Sequence, residues 1–148
     1  MKKENIHLSF VIQAIKTEQF AIFEKLYAPK KEVELGTELQ FKIDQQNKNV
    51  AVFIGFEFLQ GKKVFIKISV SCHFKIEDDS WNTFLNLKKG KVIIPKGLLA
   101  HLAMITTGTS RGILFAKTES TQFSKFIIPT LNVTEMITED ALFDIVAE

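Results

Sequence analysis

Through the first half of the chain, apolar and polar residues alternate almost one for one. That spacing puts successive side chains on opposite faces of a β-strand. In the first run Ile6, Leu8, Phe10, Ile12 and Ala14 alternate with His7, Ser9, Val11, Gln13 and Ile15. A second sets Leu39, Phe41 and Ile43 against Gln40, Lys42 and Asp44. The third has Val50, Val52, Ile54, Phe56 and Phe58 on one side, with Ala51, Phe53, Gly55, Glu57 and Leu59 on the other. The fourth is the most regular: Val64, Ile66, Ile68, Val70, Cys72, Phe74 and Ile76 face one way, and Lys63, Lys67, Ser69, Ser71, His73 and Lys75 the other. Gln45 to Asn49 and Gln60-Gly61-Lys62 are connections of hairpin length with turn residues in place, so strands two to four form an antiparallel meander with one wet face.

Between the first two strands, Thr17 to Gly36 is long for a connection inside a compact domain, and part of it, Phe20 to Glu24, can continue as strand. After strand four the period changes. Asp78-Asp79-Ser80 offers a cap for a short turn from Trp81 to Leu87, and a lysine-rich loop runs from Lys88 to Lys91. Pro95 then opens a helix in which Leu98, Leu102, Ile105, Thr109, Ile113 and Ala116 recur every three or four residues. On another stripe Ala100, Met104, Gly108, Gly112 and Ala116 fall every four residues. Small residues along one face, two of them glycines that weaken an isolated helix, call for a closely approaching neighbour; a subunit interface is expected there. Asn132-Val133-Thr134-Glu135 has the layout of a capping box, predicting a final helix with Met136, Ile137, Leu142 and Phe143. The fold class expected is α+β.

Composition narrows the function. The 148 residues suit one domain spanning 1–148, and the net charge of +2, without a block of like charges, gives no footprint for nucleic acid. The basic start lacks a continuous apolar stretch and a small-residue cleavage site, and no later run is long enough to span a bilayer; a soluble, cytoplasmic protein without membrane insertion is expected. A lone cysteine cannot form an internal bridge.

Metal and catalytic chemistry find little support. His7, His73, His101 and Cys72 are scattered, so no metal site and no cofactor are expected. Cys72 and His73 are adjacent on a strand and point to opposite faces, which prevents a nucleophile–base pair; Cys72 reads as a small buried hydrophobe and His73 as a solvated surface residue. Thr107 to Gly112 lacks the order of a phosphate-binding loop, and Ser110 lacks a nucleophile-elbow context. The chain is not expected to be an enzyme.

Fourteen phenylalanines stand against one tryptophan and one tyrosine. Phenylalanine has no polar handle, so the surplus packs the core or remains as apolar surface for a partner. On the long connection, Phe20, Phe23, Leu26 and Tyr27 form an expected wall for extended apolar chains. Phe53, with Met136 and Phe143 of the final helix, completes the expected groove.

The order strand, long crossover, three-strand meander, proline-started helix, proline-asparagine turn and short helix resembles the SecB preprotein chaperones and their SecB-like relatives. The matches are Phe10-Val11-Ile12-Gln13-Ala14-Ile15 with the later Ala28-Pro29, Pro95, Ser110-Arg111-Gly112, and Ile128-Pro129-Thr130-Leu131-Asn132-Val133. The resemblance implies a four-stranded antiparallel sheet with a long and a short helix on one face, assembled as a homo-oligomeric dimer or tetramer. It also implies ATP-independent capture of non-native polypeptides, in the family for export through SecA or for protection of an antitoxin. Two other readings stay open: an adaptor of this fold for one specific protein, and a binder of a small apolar ligand.

Overall fold

The computed structural model describes residues 9–146. Four long antiparallel strands, β1 (Phe10–Ile22), β2 (Glu34–Asp44), β3 (Asn49–Gln60) and β4 (Lys63–Ile76), form a sheet of order β1-β4-β3-β2. The expected meander is therefore β2-β3-β4, and the crossover returns β1 to pair with β4. Ile6, His7 and Leu8, expected in the first strand, lie outside the described residues.

The β3–β4 hairpin turns at Gly61, whose φ of +61° is the left-handed conformation that glycine adopts without a Cβ penalty. Across the longer β2–β3 turn, the Asp44 carboxylate accepts hydrogen bonds from the Asn47 backbone and side-chain N–H groups at 3.2 and 2.7 Å. The side-chain bond, the stronger influence, and the backbone bond hold the Asp44 carboxyl below its ordinary pKa.

Strand β1 does not keep the simple alternation. Phe10 and Ile12 pair with Ile76 and Phe74, but Ile15 and Thr17 then pair with Cys72 and Val70, and Phe20 and Ile22 with Ile68 and Ile66. Gln13 and Glu18 are the extra residues of two bulges, each of which flips the strand's facing. Ile15 rather than Ala14 thus shares the helix-side face. A third irregularity, between Phe58 and Leu59, leaves Phe65 unpaired on β4. Phe65 and Ile66 are both completely buried as a result.

Beyond β4, a short helix α1 (Asp78–Asn82) leads to β5 (Leu85–Asn86), inside the segment expected as a turn, and to β6 (Lys91–Ile94), which begins at the last residue of the expected lysine-rich loop. The long helix α2 (Lys96–Thr118) follows, with Pro95 as its N-cap. It packs over β3 and β4. Leu98, Leu99 and Leu102 cover a cluster of Val50, Val52, Cys72, Phe74 and Val92, while Leu114 covers Ile54, Phe56, Ile68 and Phe123. Between the leucines the helix buries Thr106, Thr107 and Ser110, whose hydroxyls donate to the carbonyls of Leu102, Ala103 and Thr106 at 2.7–2.8 Å. The buried stripe is consequently rotated from the one expected: Thr109 and Ile113 are half-buried and Ala116 is exposed. A hydroxyl that satisfies itself on the preceding turn can be buried at little cost, and the apolar count alone does not register this.

The C-terminal segment departs from the expected helix. Val133–Met136 is a 3₁₀ turn, and Ala141–Asp144 is a strand, β7, antiparallel to β6 in a small sheet of order β5-β6-β7. A free edge on β6 offers backbone partners at every second residue, whereas a short terminal helix would have to stand on its own nucleus.

Candidate functional site

The crossover runs as a 3₁₀ turn (Glu24–Leu26), an extended Tyr27 and a second turn at Pro29 to Lys31, and it is pinned at two points. Phe23 N–H donates to the Phe65 carbonyl at 2.8 Å. The Gln60 side chain is buried; its amide oxygen accepts from Ala28 N–H at 2.9 Å and its nitrogen donates to the Ala28 carbonyl at 2.8 Å and the Lys31 carbonyl at 3.4 Å. One side chain here supplies the pair of bonds that a neighbouring strand would supply.

Below this loop Tyr27 packs on Phe65, Phe123 and Phe126, with ring centroids 4.9, 5.5 and 5.5 Å away. Tyr27 and Phe20 are half-buried and belong to the core, Phe20 with the Lys117 ammonium 5.1 Å from its ring centroid. Phe23 and Leu26 point outward, 48% and 39% exposed. The crossover therefore carries an apolar surface on a fixed backbone, narrower than the four-residue wall that the sequence suggested.

The remaining expected groove residues do not join it. Phe53 lies on the opposite face of the sheet, between the Lys42 ammonium, 4.7 Å from its ring centroid, and the His73 ring at 5.8 Å. Met136 is exposed in the 3₁₀ turn. Phe143 sits in β7 opposite Val92 and packs on the cluster under the first half of α2, whereas the crossover covers the other cluster. The alternation of β3, the 3₁₀ turn and a strand in place of the expected helix put these residues in three regions.

A second apolar surface was not anticipated from the strand pattern. Because α2 sits over β3 and β4, the helix side of β1 extends beyond it, and Ile12 and Ile15 are 45% and 52% exposed. The outer flank of the helix adds exposed Met104 and Phe115. Of the small-residue stripe, Ala100 is buried, whereas Met104, Gly108, Gly112 and Ala116 are exposed. A Cβ added at Gly112 would meet nothing within 4 Å, and one at Gly108 only the Arg111 Nη1 atom at 3.9 Å. Within one chain nothing approaches these glycines closely. Arg111 instead ties the helix to the proline turn, its Nε and Nη2 donating to the Ile128 and Pro129 carbonyls at 2.5 and 2.7 Å.

On the face of the sheet away from α2, the Ser71 hydroxyl donates to the Glu18 carboxylate at 2.6 Å and lies 2.9 Å from His73 Nε2. With its proton committed to Glu18, Ser71 accepts from His73, and the Oγ is closed off from solvent with the rest of the residue. The geometry does not present a nucleophile. His73, expected to be solvated, is half-buried; burial first, then the Lys16 charge, lower its pKa below the ordinary value, against an upward pull from Glu18. Two concavities lie on this same face, each about 200 Å³, one lined by Glu38, Glu57 and Lys67 and the other by Ile43, Ala51 and Phe53 beside Lys42, Asp44 and His73. No cluster of three metal-ligating side chains occurs among the described residues, and no described helix is long and apolar enough to cross a membrane.

Among solved structures, the chain is similar to a Mycobacterium tuberculosis SecB-like chaperone in complex with a ChAD peptide from the HigA1 antitoxin, at 10% identity over 82% of this chain and 90% of that one, with a TM-score of 0.48. It is also similar to a Streptococcus agalactiae protein of unknown function, at 13% identity over 78% of this chain and 94% of the other, with a TM-score of 0.26. No protein-family model and no curated protein matches the chain. At these identities and TM-scores neither likeness assigns a family.

Proposed function

We propose that this protein binds non-native polypeptides without nucleotide, holding their apolar segments on the crossover surface of Phe23 and Leu26. The carrying observation is that these two side chains stay outside while the crossover is pinned on either side of Leu26, at Phe23 by the Phe65 carbonyl and at Ala28 by Gln60. A fixed, solvated apolar patch is retained surface, since an unpinned loop would fold its apolar groups inward. Each client side chain buried on it contributes on the order of 1.5–3 kcal/mol before ordering costs, so several weak contacts add up without a sequence code.

The second surface belongs in this reading to self-association. Exposed Ile12 and Ile15 on an edge strand, together with a helix flank on which a Cβ at Gly112 would meet nothing within 4 Å, match a homo-oligomeric interface in which another copy supplies the close neighbour. The clients are unfolded chains, an export substrate or an antitoxin among them.

The test is suppression of aggregation of a diluted, denatured protein at near-equimolar ratio. It compares the wild type with Phe23→Ser/Leu26→Ser, whose fold and native mass are checked first. Tyr27 and Phe20 are left intact because they support the core. Loss of suppression in the variant supports the assignment. Equal activity removes the crossover from the site, and an inactive wild type that carries one stoichiometric partner makes the protein an adaptor.

A further inference from the structure

The chain's own C-terminal strand lies along β6 in the manner of a bound extended peptide. Ala141, Phe143 and Ile145 point inward onto the core under α2, while Leu142 and Asp144 point out, Leu142 being 62% exposed. Phe143 faces Val92, Ala141 faces Ile94, and Ile145 N–H continues the ladder to the Gly90 carbonyl at 2.9 Å. Inward residues thus follow the pattern small, x, aromatic, x, aliphatic.

Its hold is slight compared with what it covers. No residue from Thr134 to Val146 is fully buried, whereas Val92 and Ile94 beneath it are completely buried. Side chains fasten the ends. The Asp140 carboxylate accepts from Lys96 N–H at 2.8 Å, at the start of α2, where the exposed N–H groups favour an anion. The Gln45 amide donates to the Asp144 carbonyl at 2.7 Å and accepts from Val146 N–H at 3.1 Å, and Asp144 pairs with Lys91. A four-residue strand at the edge of a small sheet, with no fully buried residue, belongs to the low-stability part of a fold, which opens before the rest.

We propose that segment 139–146 is a resident occupant of a strand-accepting groove on β6, and that a second extended polypeptide of the same alternating pattern takes its place when the segment lifts. The backbone ladder supplies affinity and the three inward positions supply selectivity, as in β-strand addition. This inference rests on the polypeptide-binding reading but concerns a different surface. Its failure leaves the crossover assignment standing, and failure of the crossover leaves it standing in turn.

The experiment uses the full chain and a fluorescein-labelled peptide of the sequence Glu139 to Glu148. In the wild type the labelled peptide competes with a tethered strand whose effective concentration is on the order of millimolar, so binding in trans is weak. Gln45→Ala/Asp140→Ala removes the clamps at the two ends and leaves the Lys91–Asp144 ion pair in place. The expected result is faster amide exchange at Phe143 and Ile145 together with 1:1 peptide binding at least about ten-fold tighter than wild type. Ile93→Cys/Leu142→Cys places a disulfide across an outward-facing pair of β6 and β7, and Cys72 is buried away from it. Oxidised, this variant should bind no peptide; reduced, it should bind as the wild type does. Faster exchange without a gain in binding overturns the groove, and unchanged exchange overturns the clamps. Should the double alanine variant not fold, equal peptide binding by the oxidised and reduced cysteine variants overturns the proposal by itself.

Discussion

Gln60 is the side chain on which the crossover geometry depends, and Gln60→Met isolates its contribution. Methionine keeps the length and volume of the residue, so no cavity forms and the change is confined to hydrogen bonding. Two good bonds to Ala28, at 2.9 and 2.8 Å, and a longer one to Lys31 at 3.4 Å disappear. Ala28 is half-buried, so water replaces its partners only in part. At about 0.5–1.5 kcal/mol for each of the two short bonds, the loss is about 1–3 kcal/mol. For a chain of this size, each kcal/mol lowers Tm by about 2–4 °C. The measurement is urea and thermal unfolding at matched protein concentration, with amide exchange at Ala28. Loosening of the loop should be accompanied by weaker suppression of aggregation, because Phe23 and Leu26 are no longer held outward. A loss under about 0.5 kcal/mol with unchanged Ala28 exchange would refute the reasoning, since the amide would then be redundant with the Phe23–Phe65 bond and the Tyr27 packing.

A Cβ added at Gly112 meets nothing within 4 Å, so the helix should accept Gly112→Leu or gain stability, by about 1 kcal/mol on propensity; a fall in native mass at constant helicity would place a second copy against that stripe. Arg111→Ala leaves the Ile128 and Pro129 carbonyls without their donors and should destabilise by about 1–3 kcal/mol, read from chemical denaturation. Cys72, completely buried, should resist a thiol reagent in the native state at a concentration that modifies the unfolded chain at once. The His73 imidazole should titrate below its usual 6.5 by NMR. Folding favours its neutral form and the unfolded chain binds more protons, so its contribution is present above the unfolded pKa and lost as pH falls through the folded one; His73→Gln should flatten that acid-side slope.

Strands β3 and β4, the second half of β2, their two hairpins, the start of α2 at Pro95 and the burial of Cys72 could be read from the sequence alone, whereas β2 begins at Glu34, inside the expected connection. Each depends on a local rule: alternation, turn chemistry or the fixed φ of proline, none of which needs a distant residue. What the tertiary structure decided lies where a local signal had a competitor. Residues 132 to 145 carry a capping box and helical spacing as well as an Ala141-Phe143-Ile145 alternation, and the free edge of β6 favoured the strand. The period-two reading of β1 failed beyond Ile12, because bulges at Gln13 and Glu18 are set by the register against β4 and not by the residue types. Phe53 and Phe143 were grouped with Phe23 by chemistry alone: the alternation of β3 itself sets Phe53 on the face opposite Val52 and Ile54, whereas Phe143 was placed by the pairing of β7 with β6. Gln60 is an ordinary strand-end glutamine in sequence, and it holds the crossover because the fold brings Ala28 within reach of its buried amide.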